Sequence, residues 1–255
     1  MIVYEDKTSF FMTEQHEHAL LAECFAQNWK DEYFFGDENK EAVLFAIAQH
    51  DRSWLDVDVS PVWNDKVNKP YTFIDFPHSI KLSFYEKGID EIEEKNAYSA
   101  LLSSIHYTRF FDGMNLDKRM TSFLNKEVDR QKRLLAALHL KENDKNVSFH
   151  YHLLKFCDHL SLFVCMQEAG TVEEKVHSWF KKGIVQPFSF FKEDMFNVKW
   201  KNEVEISLQP FPFRREFEVS IPMREVSKVL LKKNGILEAF HQTPAHERRV
   251  TITSK

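Results

Sequence analysis

AVLFAIAQHDRSWLDVDVSP, residues 42–61, is the stretch on which the readings of fold and site turn. It opens as a short apolar, helix-like run and ends that run at His50-Asp51. An adjacent His and Asp offer one imidazole nitrogen and one carboxylate oxygen from a single turn of backbone. Divalent Fe, Mn, Zn and Ni accept that mixture of borderline and hard ligands. The dipeptide recurs by chance in many chains, so it carries weight only with partners. His18 upstream and His106 and Asp158 downstream are the candidate partners, each set in an apolar, helix-like segment.

Upstream, MIVYE (1–5) and SFFMT (9–13) read as two strands joined at a turn. A helix is expected from Glu14, with Thr13 as its N-cap and Ala19, Leu20, Leu21, Ala22, Phe25, Ala26 and Trp29 as its apolar face. Residues 40–50 form the next helix. From Arg52 to Pro77 the pattern is loop-like, punctuated by Pro61, Pro70 and Pro77. A long loop directly after the candidate ligands is expected to cover the site.

Further helices are expected at about 80–87, 92–111, 116–140 and 147–169, with a short one over 171–182. From Gln186 the character changes. VKWKNEVEISLQPF (198–211), REFEVSIP (215–222) and RRVTITS (248–254) alternate like antiparallel strands. REVSKVLLKK (224–233) and ILEAFHQ (236–242) interrupt them as helix-like segments. No Gly/Ser linker lies near 183–190, which predicts one domain over 1–255. Its helical body spans about 14–182, and its β-rich region comprises residues 1–13 together with about 186–255. The alternative is a detached β-domain from about 185. The fold class expected is α+β: mainly a helical bundle, with a small antiparallel β-sheet formed by the N- and C-terminal segments.

Composition narrows the function classes. Hydrophobic residues make up 43% of 255, enough for a sizeable core. Phe occurs 24 times and Gly only 6, which favours an aromatic, helix-rich body over Gly-rich phosphate loops. Neither GxGxxG nor GxxxxGK[ST] is present. Net charge is −5 with dispersed basic residues, so nucleic acid is not an expected partner. The mildly basic KKGIVQPFSFFK (181–192) reads as a solvated helix end running into a strand. Cys24, Cys157 and Cys165 form no CxxC and read as buried free thiols of a reducing cytoplasm. No signal peptide and no membrane span are read, and the expected location is cytoplasmic.

The order His18, His50-Asp51, His106, Asp158 resembles the HD-domain metal-dependent phosphohydrolase superfamily, whose ligands run H…HD…D through a helical bundle. More narrowly, EHALLA (17–22), AIAQHDRSWLDVDVSP (46–61), YSALLSSIHYTRFF (98–111), DHLSLF (158–163) and PFPF (210–213) look like an uncharacterised bacterial family of unknown function. The resemblance implies an HD-like bundle and a divalent metal (Zn, Mn, Fe or Ni) on His18, His50, Asp51, His106 and Asp158. A two-metal site needs a further histidine pair. His150 and His152 are the nearest candidates, and their spacing does not suit the role, so one ion is expected.

The activity implied is hydrolysis of a phosphoester-type small molecule by a metal-activated water. Asp51 would hold the metal and orient the water, and Arg109, three positions after His106, would neutralise phosphoryl charge. Two alternatives stay open: a non-catalytic binding protein on the same scaffold, and a metal-dependent oxygenase. Asp58 is a candidate for orienting a ligand imidazole or capping a turn, and Trp54 for roofing the pocket or filling core. Ser103 lacks the context of an activated nucleophile. His16, His139, His177, His241 and His246 read as surface residues.

Overall fold

The computed structural model describes residues 1–254. Strands β1 (Ile2–Glu5) and β2 (Ser9–Thr13) form a hairpin that feeds helix α1 (Gln15–Gln27). Helix α2 (Lys40–Gln49) ends at His50. The segment that follows is more ordered than a loop. It holds a 3-10 turn (Arg52–Trp54), the single-turn α3 (Leu55–Asp58), and a small hairpin of β3 (Trp63–Asn64) and β4 (Lys69–Pro70).

Four longer helices come next: α4 (His78–Glu93), α5 (Ala97–Arg109), α6 (Lys118–Ala137) and α7 (Lys145–Cys165). Asn96, Asp117 and Asp144 cap the last three, each side chain accepting from backbone N–H groups of the first turn. The expected helix over 171–182 is two 3-10 turns instead. Strands β5 (Ile184–Val185), β6 (Met195–Asn202), β7 (Glu205–Gln209) and β8 (Phe217–Ser227) follow. The short helices α8 (Lys228–Asn234) and α9 (Ile236–Gln242) lead to the last strand, β9 (His246–Thr253).

The class is α+β, but the expected small sheet beside a dominant helical bundle is wrong. Among the described residues one mixed sheet of seven strands runs in the order β1-β2-β8-β9-β7-β6-β5. Strand β8 makes it large. Val219, Ile221 and Met223 are buried at alternate positions, and the next buried apolar residue is Val226, three residues on. That slip in the alternation is what makes REVSKVLLKK read as a helix. The strand runs on through Arg224–Ser227, which pair with Ser9–Met12 of β2, while residues 217–223 pair with β9. One 11-residue strand therefore joins the N-terminal hairpin to the C-terminal strands. The α8–α9 detour returns the chain so that β9 lies between β8 and β7, parallel to β7.

Helix α7 packs between this sheet and the other helices and is apolar nearly all round, the signature of a buried helix. Phe156 packs against Phe196 of β6, and Phe163 stacks on Trp200. Its other side meets α1, α2 and α5. A second core, of Trp54, Tyr85, Tyr107, Phe111 and Phe123, lies under the segment after Asp51. All three cysteines are free, and Cys24 is exposed rather than buried. No helix of the described residues is long and apolar enough to cross a membrane.

Gly88 of α4 sits against this segment. A Cβ there would lie 2.8 Å from Ser53 Cβ and 2.9 Å from Ser53 N and Cα. Alanine improves intrinsic helix propensity by ~1 kcal/mol, but here it would have to push away the backbone two residues after Asp51. Gly88→Ala is expected to destabilise the protein by ~1–3 kcal/mol, as overpacking does, measured by urea unfolding. A neutral or stabilising result would show that this contact yields freely.

Candidate metal centre

Five of the six expected site residues come together. His18 lies on the first turns of α1, His50 and Asp51 at the end of α2, His106 on α5 and Asp158 on α7. Their burial is nearly complete, from 0% exposure at His18 to 6% at Asp51 and Asp158. The His50 ring is near-perpendicular to that of His18, centroids 5.0 Å apart, and to that of His106, 5.3 Å apart. One donor atom each from His18, His50 and Asp51 lies within 4.8 Å of the others, and the same holds for His50, His106 and Asp158.

Hydrogen bonds fix which nitrogens face inward. His50 Nδ1 is 2.7 Å from the Ile47 carbonyl, which can only accept, so that nitrogen carries the proton. Nε2 is then left with a lone pair when the ring is neutral. It makes no hydrogen bond, standing 3.5 Å from Asp158 Oδ1 and 3.9 Å from Asp51 Oδ2. With the ring charged, Nε2–H is an ion-pair partner of Asp158; with the ring neutral, a buried lone pair faces two carboxylates and calls for a cation.

His18 follows similar logic. Ser161 Oγ donates its one proton to the Asp158 carbonyl, 2.8 Å away. It must therefore accept from His18 Nδ1, also at 2.8 Å. His18 Nε2 is thereby aimed at Asp51 Oδ2, 2.7 Å off. Either Nε2 is protonated against the carboxylate, or both atoms turn their lone pairs to a shared cation. Groups such as Ser161, one step behind a ligand, set tautomer and ring angle in metal sites. Ser161→Ala is expected to weaken metal binding ~10–100-fold with the fold intact, read by competition with a chromogenic chelator. Unchanged affinity would mean that His18 needs no such orientation.

The two carboxylates have further partners. Gln15 Nε2 donates to Asp51 Oδ2 at 3.0 Å, and the Tyr107 phenol lies 3.4 Å from Oδ1. Tyr107 in turn shares a short hydrogen bond with Ser53. His106 Nε2 is 3.8 Å from Asp158 Oδ2.

Electrostatics match the geometry. Burial opposes charge on His50, but the Asp158 and Asp51 carboxylates outweigh it and push the imidazole up to about 9. Burial drives His106 down to about 4. Burial would raise both carboxyls, yet the histidines around them hold Asp51 and Asp158 below the usual range. Three imidazoles and two ionised carboxylates form a donor set suited to one divalent cation. His50 has one free nitrogen and belongs to both trios, so the two trios describe a single site.

The remaining expectations need correction. Arg109 is not in the site: its side chain is 58% exposed and pairs with Asp112 at 3.2 Å. Asp58 orients no imidazole. It accepts from the Gln15 backbone N–H at 2.6 Å, and from the Met1 amine, fixing the start of α1. Trp54 is core, 1% exposed and edge-on to Phe76, with a side on the cavity. His150 is buried and bound to Tyr98 and the Phe35 carbonyl, away from the site. His16 is half-buried. Thr13 Oγ1 has no hydrogen-bond partner, and the N-cap position falls on Glu14, without a side-chain bond.

A cavity of about 270 Å³ opens over Asp51, His106 and Asp158. Phe73 and Ile74, from the segment between the prolines, form part of its cover, and Lys81 of α4 faces it. Lys81 is 6% exposed and donates from Nζ to the Phe73 carbonyl at 2.8 Å and the Ile74 carbonyl at 3.3 Å. Sequence reasoning missed Gln15, Lys81 and Ser161. Gln15 precedes His18 by three positions and Ser161 follows Asp158 by three, the spacing that puts side chains on one helix face.

The fold and site thus define an α+β protein with a buried three-His, two-Asp centre beneath a small cavity. The chain belongs to a family described as a protein of unknown function (DUF3891), whose pattern matches residues 1–228. No curated protein and no solved structure matches it. The resemblance to HD-domain phosphohydrolases is overturned: the match is to this other family, and a seven-stranded sheet takes the place of an all-helical bundle.

Proposed function

We propose that the protein is a metal-dependent hydrolase of a phosphoester-type small molecule. The observation that carries this reading is His50 Nε2, left without a hydrogen bond between Asp51 and Asp158 while its other nitrogen is committed to Ile47. His18, His50, His106, Asp51 and Asp158 would hold one divalent ion. When bound, it would supply Lewis acidity, lowering the pKa of a water towards ~7 and polarising an ester oxygen.

The chain's own groups then divide the remaining work. Asp51 Oδ2 is engaged by His18 and Gln15, while Oδ1 faces only the Tyr107 phenol, so Oδ1 is the atom placed to orient the attacking water and take its proton. The charge-neutralising role expected of Arg109 passes to Lys81, the lysine that lines the cavity. Its two carbonyl contacts hold the ammonium in place and leave one N–H for substrate. Aromatic walls exclude water and strengthen these interactions.

The test is elemental analysis of protein purified without added metal, followed by assay on bis(p-nitrophenyl) phosphate. One zinc or manganese per chain, with hydrolysis that a chelator abolishes, supports the reading. Iron with oxygen uptake and no hydrolysis would move the site to oxygenation. No bound metal under any loading condition would leave a non-catalytic binding protein.

A further inference from the structure

The cavity over the metal centre carries information about what enters it. Its polar floor is Asp51, His106 and Asp158, but most of its wall is apolar or aromatic. Its rim is unusual. Ile74, Phe110, Met114 and Trp179 come from three separate stretches of chain, are 44%, 43%, 42% and 50% exposed, and all border the same opening. Scattered exposed apolar residues need no explanation, but a group of them around one mouth marks a binding surface. Phe73 and Trp179 meet edge-on across that mouth, ring centroids 6.0 Å apart.

Charge sets a second constraint. Among the described residues lining the cavity, Lys81 is the only lysine or arginine. Arg109, the residue expected in this role, is committed to Asp112, and Arg52 to Glu91 and Gln49. Burial pushes the lining histidines His78, His106 and His159 towards the neutral form, a divalent ion balances Asp51 and Asp158, and Lys81 then leaves one positive charge. A buried pocket is best matched by a group that cancels its net charge, since excess buried charge is expensive. A phosphate monoester brings close to two negative charges at neutral pH, because its second pKa is ~6. A diester brings one.

We infer that the substrate is a singly charged ester bearing an apolar group of about the size of one aromatic ring, its charged head on the metal floor and its ring against the Phe110–Trp179 rim. This rests on the metal-hydrolase reading above and adds the class of molecule. Nucleotides and sugar phosphates are excluded by it, since they are polar in body and mostly multiply charged.

Isothermal titration of metal-loaded protein at pH 8 tests it with three probes. Methyl phenyl phosphate has one charge and a ring, phenyl phosphate has two charges and the same ring, and dimethyl phosphate has one charge and no ring. Methyl phenyl phosphate is expected to bind about 10-fold more tightly than either of the others. Met114→Glu, which puts a carboxylate on the exposed rim, is expected to weaken it by a similar factor without loss of metal. Phenyl phosphate binding as tightly would overturn the charge argument, and dimethyl phosphate binding as tightly would overturn the apolar one. Metal content measured on the same samples separates the two levels. Retained metal with the wrong order of probes sinks this inference alone, whereas protein that never holds metal sinks it together with the hydrolase reading.

Discussion

His50→Ala is expected to empty the metal centre. His50 is the one residue common to both donor trios, and its Nε2 makes no hydrogen bond. Removing it takes a ligand from the middle of the set and not from its edge. Loss of an orienting group outside the ligand set already costs ~10–100-fold in affinity, so loss of the central ligand should exceed the upper figure. Bound metal, read by elemental analysis, should fall from about one per chain to background, and any hydrolysis with it. The metal-free protein should also suffer. Asp51 and Asp158 are held ionised partly by His50, and without it two buried carboxylates face each other with less compensating charge, Asp158 most of all. Breaking a buried ion pair from one side costs ~3–5 kcal/mol, visible in urea unfolding at neutral pH. Arg109→Ala is the contrast: an exposed side chain paired only with Asp112 should change metal content not at all and stability by less than ~0.5 kcal/mol. Full metal occupancy in His50→Ala would show that this imidazole is not a ligand.

The site was more legible in the sequence than the architecture around it, and the reason is local. His50-Asp51 advertises itself as adjacent donors at a helix end. His18, His106 and Asp158 stand out because a polar group on an otherwise apolar helix face must have a partner. Arg109 fails under the same logic. Three positions from His106 is a shared face only to within a fraction of a turn, and at the last residue of α5 the side chain turns out to Asp112. Lys81 was invisible because its place depends on where the Phe73 and Ile74 carbonyls settle, which no helix periodicity encodes. Most of the longer strands were readable from alternation, including both N-terminal strands and β9, whereas the end of β8 read as helix and β3, β4 and β5 went unread. Their assembly was not, because the sheet's size hinges on the slip between Met223 and Val226 and on a parallel pair, β7 with β9, that requires two helices of detour. A mainly helical bundle was the reading of a chain whose longest periodic segments are helices. It overlooked how much of the apolar surface of α7 has only the sheet to pack on.

That dependence of the helices on the sheet leads to the second large effect. A fragment of residues 1–184 is expected to be insoluble or molten, not a helical domain. It keeps every candidate metal donor, since the last is Asp158, yet loses the sheet face on which α1 and α7 pack. Phe156 would lose Phe188, Phe196 and Phe213, Phe163 would lose Trp200, and Trp29 would lose Phe188, Phe190 and Phe213. Each of these three anchors is at most 1% exposed in the whole chain. Truncating a single such aromatic to alanine costs ~3–5 kcal/mol, and a domain's whole stability is ~5–15 kcal/mol, so uncovering three together exceeds what remains. The N-terminal hairpin would lose β8, the one strand it pairs with beyond itself among the described residues, and a lone hairpin is marginal in water. Gel filtration and near-ultraviolet circular dichroism of the fragment read the outcome. Aggregation, or helical signal without fixed aromatic packing, is the expected result. A monomer that unfolds cooperatively and still binds one metal would instead mean that the helices form an independent unit around the site, with the sheet merely leaning against it.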